Sequence, residues 1–258
     1  MIPKIIHYIW LSNDKKPDHI IKCMETWTKR LPDYKVKCWS MNEFDVNSVP
    51  YVKEAVQAHK WAFAADYIRL YALYTEGGFY LDSDVVIKKS FDDFLNLSFV
   101  TGIEYHENEF LKSSNNLDRK GNRLGSDSNI MGLGIQAAIM GSEKNNKLIK
   151  ECLDYYQNKH FINADGSLNN KIIAPCIYAQ CAEKFGFQYK NETQKLTDNM
   201  IIYKSDIFAG GFTERTKESY AIHFAEGSWR KKNLIQRIRQ NLVNNDFVRK
   251  IFRKETLY

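Results

Sequence analysis

The run AFAADYIRLYALYTEGGFYLDSDVVI, residues 62–87, leaves the chain few folding options. Its first part is apolar nearly all round, and a helix of that kind is buried rather than laid on a surface. Gly77-Gly78 is a natural helix stop. The residues after it, FYLDSDVVI, read as a strand with apolar neighbours on both sides of two acids. A buried helix running directly into a buried strand predicts an α/β layer structure. The run also places Asp66, Arg69, Asp82 and Asp84 where charge is costly unless something compensates it.

Asp82 and Asp84 stand at i and i+2, and on one strand such residues face the same way. Two carboxylates on one side repel unless a cation joins them. A hard divalent ion, Mn2+ or Mg2+, suits oxygen ligands and keeps positions open for phosphate oxygens. The other reading is a solvated pair on an edge strand, which the flanking Phe79, Tyr80, Leu81, Val85, Val86 and Ile87 disfavour. Asp66 and Arg69 are three apart and share a helix face. They form either an ordinary ion pair or a buried pair that meets a polar ligand.

Around this run, strands alternate with helices. Residues 4–11 and the segment YKVKCWS read as strands, with a helix over 18–31 between them stopped by Pro32. A helical region covers 51–76, and SFVTGIEY is a fourth strand after FYLDSDVVI. The polar segment 106–130 reads as a surface loop or lid. IQAAIMG, MIIYK and YAIHF are further strand candidates, with helices near 143–158 and 172–185. The alternation predicts a mixed, mostly parallel sheet flanked by helices, and in open α/β sheets ligands sit beyond the carboxyl ends of the strands.

Charge separates two parts. From Arg230 to Tyr258 nine Lys or Arg face Asp246 and Glu255, so this tail carries +7 of a net +6 and residues 1–229 carry −1. That balance argues against a nucleic-acid-binding module and for a catalytic body, 1–229, with a basic helical appendage, 230–258. The tail has apolar residues at near-helical spacing, Leu234, Ile235, Ile238 and Leu242 among them. It either packs on the body or lies on an anionic membrane surface. Five cysteines without CxxC spacing predict reduced thiols in a cytoplasmic protein. The segment MIPKIIHYIWL is too short for a signal peptide, and no run reaches the ~20 apolar residues of a membrane span.

Two further stretches carry chemistry. In YAIHFAEGSWRKK, His223 sits in an apolar strand, followed by Ser228, Trp229 and three cations. Such a histidine is either a satisfied core residue or a third metal ligand, and the donors after it suit a diphosphate. In IHYIWLS, Trp10 ends the first strand, where it either packs in the core or stacks on a base.

Taken together, IPKIIHYIWLS, AFAADYIRLYALYTEGGFYLDSDVVI and AIHFAEGSW resemble the DxD-containing sugar transferases of glycosyltransferase family 32. The resemblance is densest over residues 1–95, returns near 220–232 and is weak between. It implies a GT-A fold, a nucleotide-sugar donor and a divalent metal, Mn2+ or Mg2+. Asp66 and Arg69 match residues that contact donor sugar and nucleotide, and Tyr80 one that lies against the nucleotide. Asp82 matches an acid reaching ribose, sugar or metal, Asp84 a direct metal ligand, and His223 a late metal-binding histidine. Trp10 matches a base-stacking residue, and Ser228-Trp229 a segment closing over the diphosphate. Gln136, Asp127 and Asn129 are candidates for the sugar or acceptor pocket.

The resemblance further implies retaining hexosyl transfer from a UDP-sugar, such as UDP-galactose, to a lipid-linked saccharide in bacterial capsule or O-antigen synthesis. It places the enzyme in the cytoplasm, with peripheral contact to the inner membrane face. FYLDSDVV also fits the strand of haloacid-dehalogenase-type phosphatases, with Asp82 as nucleophile. That scheme needs a later lysine and acid pair, and gives Asp66 and Arg69 no role.

Overall fold

A computed structural model describes residues 1–12, 14–125, 128–211 and 214–224. The chain begins with β1 (Ile5–Ile9), α1 (Asp18–Arg30), β2 (Lys35–Trp39), α2 (Pro50–Gln57) and α3 (Trp61–Glu76). It continues through β3 (Gly78–Leu81), β4 (Val85–Ile87), β5 (Phe99–Tyr105), α4 (Glu107–Ser113) and β6 (Leu133–Ser142). Then come α5 (Lys147–Gln157), α6 (Ala174–Ala182), β7 (Gln194–Leu196), β8 (Met200–Tyr203), β9 (Phe208–Ala209) and β10 (Ala221–His223). Seven strands form one sheet in the order β2-β1-β3-β6-β5-β8-β7, and β4-β10-β9 form a second, smaller one.

The α/β class and the mixed sheet are as expected, but parallel pairings do not predominate in it. β1 pairs in parallel with β2 and β3, and β5 with β8, whereas β6 runs antiparallel to both β3 and β5, and β7 antiparallel to β8. The long, fully buried β6 is the inserted reversed strand. Strand alternation feeds two cores. Tyr80, Ile135 and Met140 face the core that holds the apolar residues of α2, α3, α5 and α6. Phe79, Leu81 and Ala138 face the other, with Trp27 of α1, Val85, Phe91 and Phe208.

The expected helix over 51–76 is two helices. Pro50 opens α2 at its first turn, where a missing N–H costs nothing. His59 then adopts a left-handed φ of 53°. Its N–H bonds the Val56 carbonyl at 3.0 Å, and that of Lys60 bonds the Ala55 carbonyl at 2.8 Å. This paired closure is a Schellman motif, with histidine where glycine is usual.

The expected single strand FYLDSDVVI is also two, and this correction matters most for function. β3 belongs to the large sheet and β4 to the small one. Between them the Val85 N–H bonds the Asp82 carbonyl at 3.1 Å, a turn that carries Asp82, Ser83 and Asp84. The acids therefore converge through a turn, not through strand alternation.

The α3–β3 junction is close-packed. Gly77 and Gly78 have φ of 69° and 104°, and a β-carbon on Gly78 would lie 2.7 Å from the Ile5 carbonyl oxygen. Only glycine fits such a conformation and approach. Buried His7 donates from Nε2 to the Gly77 carbonyl at 2.7 Å and accepts at Nδ1 from Trp39 Nε1 at 3.0 Å. Burial pushes its pKa below the ordinary value, consistent with a neutral ring.

The polar segment after β5 is not wholly loop. It forms α4, a 3-10 turn at 114–116 and a bridge between Leu117 and Arg123. The expected tail helix, 230–258, with Ser228 and Trp229 before it, lies outside the described residues.

Candidate active site

A cleft of about 500 Å³ opens where β1, β3, β5 and β6 reach the sheet edge. Its lining includes Trp10, Asp66, Arg69, Tyr80, Asp82, Asp84 and His223, so most of the residues singled out in the sequence meet in one place. α3 supplies Asp66 and Arg69, the β3–β4 turn supplies the two acids, and β10 brings His223 back from far along the chain.

Register explains the last of these. β10 pairs antiparallel with β4, and His223 stands opposite Val85, immediately after the acidic turn. Its Nε2 lies 3.3 Å from Asp84 Oδ1 and 3.6 Å from Asp82 Oδ2. One ligand atom from each of the three residues falls within 4.8 Å of the others. Burial disfavours the charged imidazole, but Asp84 and then Asp82 outweigh it and push the His223 pKa up to about 9. In this arrangement a proton on His223 is the positive charge between the carboxylates. Two carboxylates and an imidazole nitrogen form a donor set that fits Mn2+ or Mg2+, which would take over that compensation.

Behind this triad lies a second layer of charge. Arg69 Nη2 is 3.1 Å from Asp66 Oδ1 and 3.7 Å from Asp82 Oδ1. Its Nε and Nη1 donate to the carbonyls of Ala65 and Ala137 at 3.2 and 2.8 Å. The guanidinium is thus held on two sides by backbone and on two by carboxylates, the saturation a buried cation requires. It lies 4.8 Å from the ring centre of Tyr80, whose hydroxyl donates to Asp82 Oδ1 at 2.6 Å. Tyr80 is only 2% exposed, so its visible task is to hold Asp82 in place. Burial pushes the Asp66 carboxyl up to about 7, against the pull of Arg69, while Tyr178 donates to the Asp66 backbone carbonyl at 2.9 Å.

Trp10 is half-buried at the end of β1 and forms one wall of the cleft. Its Nε1 donates to the Asp14 carbonyl at 3.0 Å, and the Lys16 ammonium stands 5.1 Å from its ring centre. Gln136 and Asn129, considered for the sugar or acceptor pocket, do not line the cleft. Gln136 is buried and donates to the Phe208 carbonyl at 3.0 Å, and Asn129 accepts from Gln180 at 2.9 Å on the surface. Asp127, Ser228 and Trp229 lie outside the described residues.

Two ionisable residues of the cleft were missed from sequence: Glu104 and His106. Glu104 lies at the end of the apolar strand β5, and His106 just beyond it. An acid closing an apolar strand at the sheet's ligand-facing edge was the available signal.

Residues 17–100 match the family model described as a glycosyltransferase sugar-binding region containing a DXD motif. The chain is similar to inositol phosphoceramide mannosyltransferase 3 of Schizosaccharomyces pombe, with 32% identity over 99 residues, covering 37% of this chain and 28% of that protein. It is also similar to the uncharacterized glycosyltransferase L373 of Acanthamoeba polyphaga mimivirus, with 35% identity over 105 residues, 38% of this chain and 42% of that one. The chain therefore spans less than half the length of these curated relatives. Among solved structures, the PaToxG glycosyltransferase superposes with a TM-score of 0.48 at 19% identity, over 71% of this chain and 68% of that one. The galactosyltransferase LgtC, in complex with donor and acceptor sugar analogs, gives 0.42 at 11%, over 94% and 95%. The acidic turn, the helix before it and the strand between them all fall within the segment that matches this family model.

Proposed function

We propose that the protein is a metal-dependent glycosyltransferase that moves a hexose or N-acetylhexosamine from a nucleotide-sugar to a saccharide acceptor. The observation that carries this reading is the convergence of Asp82, Asp84 and His223 within 4.8 Å, beside the buried Asp66–Arg69 pair.

Asp82, Asp84 and His223 would hold Mn2+ or Mg2+, which when bound neutralises charge on a departing diphosphate. The chain's own groups do the rest. Arg69, fixed by two carbonyls, presents its guanidinium beside Asp66 and Asp82, where it orders the carboxylates toward sugar and ribose hydroxyls. Tyr80 keeps one oxygen of Asp82 engaged, so that the other faces the cleft. Trp10 offers an aromatic wall for the base, and a base seated there would displace the Lys16 ammonium from that ring. Wall residues such as Phe63, Ala137 and Pro175 exclude water around the sugar.

Within this reading the donor is a UDP-sugar such as UDP-galactose, and transfer is retaining. The acceptor is a lipid-linked saccharide of a cell-surface polysaccharide, met at the cytoplasmic membrane face with the basic tail as peripheral attachment. The family resemblance and the tail charge support these finer points. The curated relatives are fungal and viral, so the bacterial capsule or O-antigen setting rests on the resemblance alone. Among the described residues no helix is long and apolar enough to cross a membrane. The rival phosphatase scheme finds no lysine among the described residues lining the cleft.

The test is a panel of UDP-, GDP- and ADP-sugars with Mn2+, read by thermal shift and by slow donor hydrolysis. Nucleotide-dependent stabilisation that needs Mn2+ is expected. Hydrolysis of p-nitrophenyl phosphate without any nucleotide response would overturn the reading.

A further inference from the structure

In the same cleft as the acidic turn, a second group of polar side chains stands on different elements. Glu104 ends β5 and is about a quarter exposed, with a side-chain accessibility of 26%. One of its oxygens, Oε1, lies 3.4 Å from His106 Nε2. Both residues line the same cleft as Asp66 and His223. Beyond them Gly210, also in the lining, donates its N–H to Glu214 at 3.2 Å. The Glu214 carboxyl is pushed up mainly by burial and also feels His106 and Glu104. This end of the cleft takes no part in the metal triad or the Arg69 cluster.

We propose that Glu104 binds the attacking hydroxyl of the acceptor. The assignment rests on the glycosyltransferase reading and deepens it. The chemistry follows from what each end of the cleft offers. The triad and Arg69 are suited to a diphosphate and its sugar. A carboxylate in the same cleft, with one oxygen engaged by His106, leaves its other oxygen to accept a hydrogen bond from an entering hydroxyl. The hydroxyl oxygen forms a bond to the anomeric carbon as the bond from that carbon to the diphosphate oxygen breaks. The bonding pair leaves with the nucleoside diphosphate, and the hydroxyl proton, shared with Glu104 until the attack, passes to its departing oxygen. Glu104 fixes the direction of attack, and positioning of this kind accounts for large rate factors. When no acceptor is present, water occupies the same place, and donor hydrolysis reports on the same contact.

The experiment compares wild type, Glu104→Ala and Glu104→Gln. UDP-galactose, UDP-glucose and GDP-mannose are supplied as donors with Mn2+, and water is the acceptor. Turnover by Glu104→Ala is expected to fall about 100-fold, with the donor KM and the Mn2+-dependent binding of free UDP or GDP unchanged. Glu104→Gln keeps the volume and one accepting oxygen, and it should lose less. Equal turnover in wild type and Glu104→Ala overturns the assignment while leaving the parent reading standing. Loss of nucleotide binding in both folded variants also overturns it, because Glu104 would then belong to the donor site. A wild type that binds no nucleotide with Mn2+, or cleaves none of the donors, defeats the parent reading and this one with it.

Discussion

His223 Nε2 sits 3.3 Å from Asp84 Oδ1, although the two residues come from β10 and from the turn before β4. The antiparallel pairing of those strands creates the contact. On the proposed metal reading both side chains hold the cation. Asp84→Ala and His223→Ala should each weaken Mn2+ binding by more than the ~10–100-fold typical of losing a supporting partner. Calorimetric titration with Mn2+ and UDP checks this, as does the loss of nucleotide-induced stabilisation when wild type is treated with a chelator. A variant that binds Mn2+ like wild type would remove that residue from the site.

Tyr80→Phe separates positioning from ligation. The lost hydroxyl bonds Asp82 at 2.6 Å but is too buried to act as a free ligand. A hydrogen bond to a charged partner is worth ~1.5–3 kcal/mol. The variant should fold, bind Mn2+ roughly 10-fold more weakly, and lose donor turnover in proportion. Unaltered metal affinity would show that Asp82 holds its orientation without this hydroxyl.

Asp66 should make stability depend on pH. Burial raises its folded pKa to about 7 from an ordinary 3.8, so the folded state holds the proton more tightly than the unfolded chain. Stabilisation from this proton is complete below the unfolded value and is lost as pH rises toward about 7. Asp66→Asn carries no titrating group, so its melting temperature should change less than that of wild type across this window. Parallel melting curves for the two proteins would exclude Asp66 as the source.

Gly78→Ala tests the α3–β3 junction. A methyl group would meet the Ile5 carbonyl at 2.7 Å, at a φ of 104°. The strain alone costs ~1–3 kcal/mol, so the urea midpoint should fall with little change in slope. An unchanged midpoint would mean that β1 and β3 separate easily at this point.

The sequence exposed chemistry better than it exposed geometry. Asp66, Arg69, Asp82, Asp84 and His223 stood out because charge inside apolar runs demands a partner, and the structure places all five around one cleft. The split of FYLDSDVVI was not legible, since its apolar content is the same whether one strand continues or two strands join different sheets. The break after α2 was hidden because a histidine takes the left-handed position that glycine usually marks. Glu104 went unnoticed because a single acid at a strand end looks like ordinary solvation until β1, β3 and β6 are set beside it. Gln136 misled for the opposite reason: a polar residue in a strand suggested a ligand, but its amide satisfies the Phe208 carbonyl.

The jump from β3 to β4 has a mechanical consequence. Asp82 and Asp84 lie in the turn that leaves the large sheet, and His223 belongs to the small one, so a cation seated among them would rivet the two sheets together. Those layers also cohere through the Gln136–Phe208 hydrogen bond and through aromatic packing, such as Phe91 against Phe79 and Phe208. Ligand spacing is then set by how the layers are stacked, and loosening the aromatic seam at Phe91 would detune the rivet from a distance. On the proposed metal reading, metal affinity would become a gauge of interlayer fit.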